Sequence, residues 1–462
     1  MRLTKFISIS LSLVLCFGMV ALFTGNRAEA LSANTSSEPT VRVGMYALIG
    51  NLDTRRASTE ITCSAGFDIG NTDGSVFRKS GSVDSKQLKI KVVGGKINVT
   101  DAEGNLIGDY ESSYKFAVRG KGGRVLSYPM MHRSGSINNY EYPGFLEFQI
   151  SDGLLYMVNV LGLEQYTKCV MANEIGGNFT VETRKAFAVL ARTMPFCCKH
   201  KKLGFDVCSN SACCQVYAGV YRMSQENNEI VEATHGQICA YQGEPIAVLY
   251  TGANGGASCS SVAAWGGKEV PYLTSVFLED EKGEEAARWE KVFTKAEFYE
   301  YVQSRAAFSG LSDDEISMQI LATDPYGSDY ITVLSLSDGS GNVVNVENSE
   351  KVRTACGFSS ANFKVDYVGD AYMLTENGKI EKCNPSGILT EDGYKEFTGF
   401  GDSYVTEFGE EVGAEKIIIS GVGSGHGVGF SAPGSEKLAK DGYKYTYILT
   451  FFFKGTNIKK LY

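Results

Sequence analysis

The chain has 462 residues, with 44 basic and 53 acidic side chains and a formal net charge of −9. Nucleic-acid binding requires a basic surface, so this balance argues against nucleic-acid partners. It also gives no general attraction to an anionic cell wall, so binding to a wall polymer would depend on local shape. The length suits one large domain or two medium-sized ones.

The N-terminus indicates export. A basic start precedes an apolar run, residues 6–24, and the small-x-small sequence Ala28-Glu29-Ala30. This pattern is typical of a secretory signal peptide, and the run is just long enough to serve instead as an uncleaved anchor. We therefore expect residues 1–30 to be a signal peptide or N-terminal membrane anchor, residues 31–40 a linker, and residues 41–462 a body that works outside the cytoplasmic membrane.

The predicted elements are mostly strands, joined by a few helices. Apolar alternation or short apolar runs predict strands at residues 41–49, 85–93, 144–150, 153–160, 247–250, 330–336, 342–346 and 416–419. The sequence Ser151-Asp152-Gly153 predicts a hairpin turn. Helical periodicity, with Thr180 as the first cap, predicts helices at residues 180–194, 224–234, 290–306, 435–441 and 445–453. Residues 366–410 are interpreted as an irregular excursion.

Cysteines are concentrated in one stretch of the chain. Five surround His200, namely Cys197, Cys198, Cys208, Cys213 and Cys214. Outside the cell, neighbouring cysteines usually form disulfides, whereas thiolates beside an imidazole also suit tetrahedral zinc. The spacing leaves both alternatives open. A catalytic zinc of the metallopeptidase type is disfavoured because the sequence has no His-Glu-x-x-His pattern.

A glycine-dense segment near the C-terminus has a glycine at every second position from Gly421 to Gly429 and includes His426. Alternate glycines allow another molecule to approach the backbone closely. The imidazole is therefore a candidate functional group, and a glycine-rich turn with an incidental histidine is the alternative. The segment is not a phosphate loop, because no Gly-Lys-Ser/Thr follows.

Several segments together resemble one family. In chain order they are Leu161-Gly-Leu-Glu-Gln-Tyr166, Asn173-Glu174, Ala186-Phe-Ala-Val-Leu-Ala-Arg-Thr193, Cys214-Gln-Val-Tyr217, Thr234-x-Gly236, Tyr250 with Gly255-Gly256, Trp265-Gly266, Pro271-Tyr-Leu273, residues 353–363 and Gly425-His-Gly-Val-Gly-Phe-Ser431. Their ordered occurrence resembles the stage II sporulation protein D family, which also includes the bacterial amidase enhancers. The resemblance implies a single α+β domain rich in strands, with a cleft between two lobes.

The resemblance implies action on peptidoglycan together with a wall amidase that removes stem peptides. Enzymatic members of this family are lytic transglycosylases, which cleave between N-acetylmuramic acid and N-acetylglucosamine in peptide-free glycan strands, as in sporulation engulfment. Their acid is the glutamate of a Val-Val-x-x-Glu motif, matched here by Val170-Met-Ala-Asn-Glu174. Glu174 is therefore the predicted general acid/base, and no cofactor is required for catalysis. A helix-entry or surface carboxylate is the alternative for Glu174.

The resemblance also implies a sugar-binding role for residues outside the glutamate motif. They are His426, Ser431, Tyr250, Asn254, Gly255 and Gly256. A purely structural histidine is the alternative for His426. Arg192 is expected to pair with a carboxylate or to be a buried structural arginine. Ala432-Pro433 departs from the Gln-x-Gly-Ala that usually follows the serine, and this departure supports the alternative of a non-catalytic glycan-binding partner of an amidase.

Some members of the family bind zinc through two histidines and two cysteines. Cys208 and Cys214 match the cysteines, while Cys213 and Lys202 stand at the histidine positions. Lys202 is a poor ligand because its amine is charged, so Cys197, Cys198 or His200 would supply the fourth group. The predicted set for a structural zinc is Cys208, Cys213, Cys214 and His200, and a Cys208–Cys214 disulfide is the alternative.

Overall fold

The structure is a computed structural model, and it describes most of the chain from residue 37 onward. The described residues are 37–46, 48–49, 52–53, 55–121, 124–127, 140–197, 200–210, 213–278, 287–312, 315–368, 371–374, 380–383, 387–390, 393–396, 403–405, 411–413 and 416–462. The predicted signal peptide or anchor and most of the predicted linker lie outside them. Within the described residues, no helix combines the length and the apolar character needed to cross a bilayer.

Strands dominate the part of the chain that precedes the first helix. They are β1 (Thr40–Tyr46), β2 (Leu48–Ile49), β3 (Leu52–Asp53), β4 (Ser58–Thr62), β5 (Phe67–Thr72), β6 (Phe77–Val83), β7 (Gln87–Val93), β8 (Lys96–Thr100), β9 (Leu106–Tyr110), β10 (Phe116–Gly120), β11 (Arg124–Ser127), β12 (Tyr140–Pro143), β13 (Phe145–Ser151) and β14 (Leu154–Gly162).

The helices begin directly after β14. They are α1 (Leu163–Glu174), α2 (Val181–Thr193), α3 (Gln225–Ala233), α4 (Ser261–Trp265), α5 (Lys295–Gln303), α6 (Ser349–Cys356), α7 (Ala432–Lys440) and α8 (Tyr445–Phe452). The strands between and after them are β15 (Val207–Cys208), β16 (Gln237–Tyr241), β17 (Glu244–Pro245), β18 (Tyr250–Thr251), β19 (Arg288–Thr294), β20 (Ser317–Thr323), β21 (Ile331–Ser337), β22 (Val343–Glu347), β23 (Phe363–Val368), β24 (Ala371–Leu374), β25 (Ile380–Cys383), β26 (Gly387–Thr390), β27 (Gly393–Glu396), β28 (Ser403–Val405), β29 (Glu411–Gly413), β30 (Lys416–Val422), β31 (Phe430–Ser431) and β32 (Asn457–Lys460).

Two larger sheets come from the N-terminal strands. One has the order β15-β1-β14-β13-β10-β5-β6 and the other β12-β11-β4-β7-β8-β9. Smaller sheets follow, with the orders β17-β16-β32, β19-β30-β23 and β20-β21-β22, and β18 pairs with β31. A cluster of buried apolar side chains draws members from Val41 through to Leu461. The mixed α+β class predicted from the sequence is therefore confirmed.

Local sequence signals account for several elements. The β13–β14 hairpin turns at Asp152 and Gly153, whose φ angles of 50° and 75° suit a tight hairpin turn, as predicted. The Thr180 hydroxyl accepts a hydrogen bond from Thr183 N–H and starts α2, and Ser224 starts α3 in the same way. These caps satisfy backbone N–H groups that have no partner inside the helix.

Three boundaries differ from the prediction. The helix expected at residues 290–306 is a strand up to Thr294, because β19 pairs along its whole length with β30, and α5 then begins at a capping box formed by Thr294 and Glu297. Helix α7 begins three residues earlier than predicted, at Ala432, because Ser431 caps it. The strand predicted at residues 247–250 is reduced to the short β18.

Parts of the predicted irregular excursion also have regular structure. Its described residues include the end of β23 and the antiparallel pairs β24–β25 and β26–β27, and β28 pairs with β29, which lies just beyond the tract. The remaining residues of the tract fall outside the described ranges.

Candidate functional site

Helix α1 carries Glu174 as its last residue. Its buried side chains include Leu163, Tyr166 and Val170, whose spacing of three and four residues forms one apolar face. The helix ends where the backbone of Ile175 becomes extended, just before two consecutive glycines, Gly176 and Gly177. The Glu174 side chain therefore projects from the end of a helix whose other face is fixed in the core.

The Glu174 carboxylate is held by two hydrogen-bond donors. Val216 N–H donates to Oε1 at 2.5 Å, and the Tyr250 hydroxyl contacts the same carboxylate. Burial raises the pKa of Glu174, and these two hydrogen bonds oppose the rise without cancelling it. A helix C-terminus also disfavours negative charge. The environment therefore favours the protonated acid more than water does.

Tyr250 joins Glu174 to the glycine-dense segment. It lies on β18, which runs parallel to β31 with Tyr250 opposite Phe430. The next residue, Thr251, donates from its hydroxyl to Ser424 O at 2.7 Å and accepts from Gly427 N–H at 3.2 Å. The structure thus brings the predicted acid and the glycine segment to one region, with Tyr250 between them.

The alternate glycines serve contacts within the protein. A Cβ at position 427 would lie 2.2 Å from Tyr330 Cζ, and a Cβ at position 429 would lie 2.3 Å from Leu249 O. Both glycines also have positive φ angles, which L side chains rarely adopt. The predicted close approach is therefore present, but the protein's own chain makes it, because the residues just before β21 and β18 pack against these glycines.

His426 is half-buried beside an indole ring. Val428 N–H donates to its Nδ1 at 3.0 Å, so the neutral ring carries its proton on Nε2. Its ring centroid lies 5.3 Å from that of Trp265. Sequence reasoning gave Trp265 no role, although the Trp265-Gly266 pair was part of the family pattern and was the available signal.

The other predicted sugar-binding residues are buried. Ser431 is 0% exposed, and its hydroxyl accepts from Gly434 N–H at the start of α7. Asn254 is 1% exposed and donates to Gly429 O at 3.4 Å. Gly255 and Gly256 are also buried, and a Cβ on Gly255 would lie 2.7 Å from Val422. In this structure these residues make contacts within the protein, and their sugar-binding role stays a prediction.

The four predicted metal ligands come together. The ligand atoms of His200, Cys208, Cys213 and Cys214 lie within 4.8 Å of one another. His200 Nε2 is 3.3 Å from the Sγ atoms of both Cys213 and Cys214. Tetrahedral zinc with bonds of about 2.3 Å places its ligand atoms roughly 3.7 Å apart. The cluster therefore fits a zinc ion, and its three cysteines form no disulfide in this structure.

The alternative ligands lie elsewhere or outside the described residues. Lys202 is exposed, Cys197 contacts the backbone oxygen of Ile246, and Cys198 is not among the described residues. Hydrogen bonds from the Cys208 and Cys214 thiols lower the pKa of Cys213 well below its usual range. A thiolate is the form of cysteine that binds metal.

The cysteine cluster lies next to the support of Glu174. Strand β15 pairs with β1 and so fixes Cys208 at the sheet edge. From Cys214 the chain passes directly to Gln215 and then to Val216, which donates to Glu174. Whatever fixes Cys213 and Cys214 therefore also fixes the backbone that holds the predicted acid.

Arg192 fulfils both expectations at once. It is 0% exposed, and its Nη2 and Nε atoms lie 2.7 and 2.8 Å from the two carboxylate oxygens of Glu164. The pair lies at the beginning of α1, at the opposite end from Glu174. Arg192 is thus a structural arginine with a carboxylate partner.

A central region of this chain matches a protein family model, and longer stretches are similar to two known proteins. Residues 151–241 match the family model SpoIID, described as stage II sporulation protein. An uncharacterized protein of Brachyspira hyodysenteriae is 27% identical over 326 residues, which cover 70% of this chain and 73% of that protein. The amidase enhancer of Bacillus subtilis is 27% identical over 304 residues, which cover 63% of this chain and 40% of that protein.

The matched region contains α1 with Glu174, the four clustered metal-ligand candidates and Arg192. These similarities, to a stage II sporulation protein model and to an amidase enhancer, agree with the resemblance found in the sequence.

Proposed function

We propose that the protein is a peptidoglycan lytic transglycosylase that acts outside the cytoplasmic membrane, with Glu174 as its general acid/base. The supporting observation is the environment of this carboxylate. It is half-buried, it receives hydrogen bonds from Val216 N–H and the Tyr250 hydroxyl, and desolvation raises its pKa. Within the described residues it has no cationic partner, so it can carry a proton at a pH where ordinary glutamates are ionised.

One such carboxylate is enough for lytic cleavage of a glycan. Hydrolytic glycosidases need a second carboxylate, either to activate water or to attack the sugar. In lytic cleavage the 6-hydroxyl of the muramic acid closes on the anomeric carbon. Glu174 protonates the leaving glycosidic oxygen, and the resulting carboxylate accepts the proton of the 6-hydroxyl. The products are a free sugar end and a 1,6-anhydro end, and the acid is regenerated.

The partners proposed for this activity are peptide-free glycan strands and a wall amidase that produces them. The name of the Bacillus subtilis relative, amidase enhancer, supports the amidase partner. Trp265 and His426 offer a half-buried aromatic surface near the site on which a sugar can stack. The same proposal includes the predicted cleft between two lobes as the place where the glycan strand binds.

We further propose that His200, Cys208, Cys213 and Cys214 hold a structural zinc. Three thiolates and one imidazole fill the four positions of a tetrahedral ion, so no position is left for water or substrate. Bound zinc would supply a crosslink between β15, the residues around His200 and the turn that ends at Val216. Catalysis itself would use only the side chains of the chain.

A second candidate is a glycan-binding partner that stimulates an amidase without cleaving glycan. The name of the relative favours it, and so does the sequence after Ser431. Ala432 and Pro433 form the first turn of α7, a position that suits proline but leaves no amide side chain at 432.

Digestion of purified peptide-free glycan strands tests the proposal. Mass spectrometry should detect 1,6-anhydro ends with the wild-type protein and none with Glu174→Gln, whose rate should fall by about 10²–10⁴-fold. Glu229→Gln, an exposed glutamate on α3, is the matched control and should keep wild-type turnover. Glu174→Gln with wild-type turnover would refute the assignment. Intact strands with the wild-type protein, together with faster digestion by an added amidase, would favour the second candidate.

A further inference from the structure

Two fully buried polar side chains lie behind the predicted acid. Tyr166, on α1, donates from its hydroxyl to Gln215 Oε1 at 2.9 Å. Both residues are 0% exposed. Burying a hydroxyl and an amide is costly unless their hydrogen bonds are made, so this pair needs a reason beyond packing.

The hydrogen bond from Tyr166 determines how the Gln215 amide is oriented. Because Oε1 accepts from Tyr166, the amide nitrogen points the other way. The Gln215 side chain interacts with the Tyr250 hydroxyl and lowers its pKa, which is the effect of a donor, although within the described residues its buried nitrogen makes no hydrogen bond of regular geometry. The amide nitrogen can only donate, so the Tyr250 oxygen is the acceptor that it faces.

The orientation of the amide determines the direction of the Tyr250 hydroxyl. With the Gln215 donor facing its oxygen, the Tyr250 proton is directed at its other polar neighbour, the Glu174 carboxylate. The polar contacts therefore run in one direction, from Tyr166 through Gln215 and Tyr250 to Glu174. An edge-to-face contact with Phe187 at 5.2 Å holds the Tyr250 ring in place.

We propose that Tyr166 and Gln215 are positioning residues that fix the Tyr250 hydroxyl as a donor to Glu174. This inference rests on the proposed transglycosylase activity. A donor already directed at the carboxylate stabilises it when Glu174 gives up its proton, without reorganisation at that moment. Val216 N–H and Tyr250 would then share the charge of the conjugate base until the 6-hydroxyl proton arrives.

Three variants and a double variant test this arrangement, assayed on peptide-free glycan strands. Tyr250→Phe removes the donor itself, and Tyr166→Phe and Gln215→Leu remove its orientation. Each should lower kcat by about tenfold while KM stays within about twofold. Loss of the donor raises the pKa of Glu174 further, so the fall of kcat/KM on the alkaline side should move to higher pH. Titratable groups nearby include Tyr166, Tyr250, Cys208 and Cys214.

The double variant Tyr166→Phe/Tyr250→Phe separates positioning from general structural damage. If Tyr166 acts through Tyr250, the double variant should have the kcat of Tyr250→Phe alone, because the two effects are not independent. If the double variant instead lowers kcat by the product of the two separate effects, the inference is contradicted. If Tyr166→Phe does not fold, the pH profile of Tyr250→Phe still tests the proposal, since this change removes only a terminal hydroxyl. An unshifted profile overturns the proposal.

Tyr217→Phe is the matched control. Tyr217 is 1% exposed and stacks on Tyr166 with centroids 5.7 Å apart, but its hydroxyl donates to Asn159. The Tyr217→Phe variant should lose stability and keep the wild-type kcat and pH profile. If its pH profile shifts as much as that of Tyr250→Phe, the inference is overturned. Inactive Glu174→Gln combined with fully active Tyr166→Phe and Tyr250→Phe would refute the positioning role alone. Active Glu174→Gln would refute the proposed function.

Discussion

Helix α1 has a carboxylate at each end, buried at Glu164 and half-buried at Glu174, and the two differ in their partners. Glu164 lies in the first turn, where burial is outweighed by Arg192, by the Tyr462 hydroxyl and by Gly236 N–H, so that its pKa is lowered. Glu174 is the last residue, where burial outweighs two neutral donors and raises its pKa. The helix dipole favours negative charge at the first end and disfavours it at the second.

The comparison separates a structural from a reactive glutamate. Both side chains are desolvated and both receive hydrogen bonds, so desolvation alone does not explain the opposite pKa shifts. The guanidinium of Arg192 accounts for the difference in pKa, because an opposite charge in contact favours the ionised form of a carboxyl group. A buried glutamate without a cation, at the C-terminal end of a helix, is the one suited to hold a proton.

Removing the positive charge of Arg192 should abolish the difference between the two glutamates. Of the changes predicted here, it should have the largest effect on stability. Arg192→Met leaves Glu164 buried without its counter-charge, and the free energy of unfolding should fall by about 3–5 kcal/mol. Urea denaturation followed by circular dichroism measures it. Glu226→Gln, which removes an exposed partner of Arg184, is the control and should cost far less. If the two variants are equally stable, the Glu164–Arg192 pair does not stabilise the fold.

Metal removal should affect one end of the helix and spare the other. Chelation of zinc from the cysteine cluster should increase amide hydrogen exchange at residues 213–217 and lower glycan cleavage by about tenfold, since Val216 would no longer be held against Glu174. The amide of Gly236, which donates to Glu164, should keep its protection. Cys239→Ser, a buried cysteine outside the cluster, should retain the metal content of the wild type. A metal-free preparation with full activity and unchanged exchange would contradict the prediction.

The pH dependence of stability should have opposite signs at the two ends, with small amplitudes. A glutamate with a lowered pKa contributes stability above its ordinary pKa of 4.5 and loses it as the pH falls. A glutamate with a raised pKa destabilises the fold as the pH rises from 4.5 through its folded value. Relative to the wild type, the Tm of Glu174→Gln should rise from pH 4 to pH 8, and that of Glu164→Gln should fall. Slopes of the same sign would show that the two environments are alike.

Local signals in the sequence were sufficient for some elements and for the identity of the main candidates. Thr180, Ser224 and the Asp152-Gly153 turn each specify a backbone geometry within a few residues, and those predictions are confirmed. Glu174 followed from the family resemblance, and its role stays a prediction. The cysteines and His200 followed from residue types, and the structure brings Cys208, Cys213, Cys214 and His200 together.

The remainder depends on contacts between distant residues. Helix α1 was not predicted, because its N-cap is Gly162, which has no side chain, and the substitute partner for Glu164 N–H is Glu38, far away in the sequence. Residues 290–294 became a strand because β30 pairs with them. The hydrogen bonds through Gln215 had no signal at all, since nothing local relates it to Tyr166 or Tyr250.

The alternate glycines of residues 421–429 limit where this tract can vary. Every odd position is closed, because a Cβ would meet Trp289 at 421, Ala253 at 423, Thr251 at 425, Tyr330 at 427 or Leu249 at 429. Among the even positions, Val428 is buried, whereas Val422, Ser424 and His426 are partly exposed. Substitutions that change this surface, among relatives or in a redesign for another ligand, are thus confined to three of its nine positions.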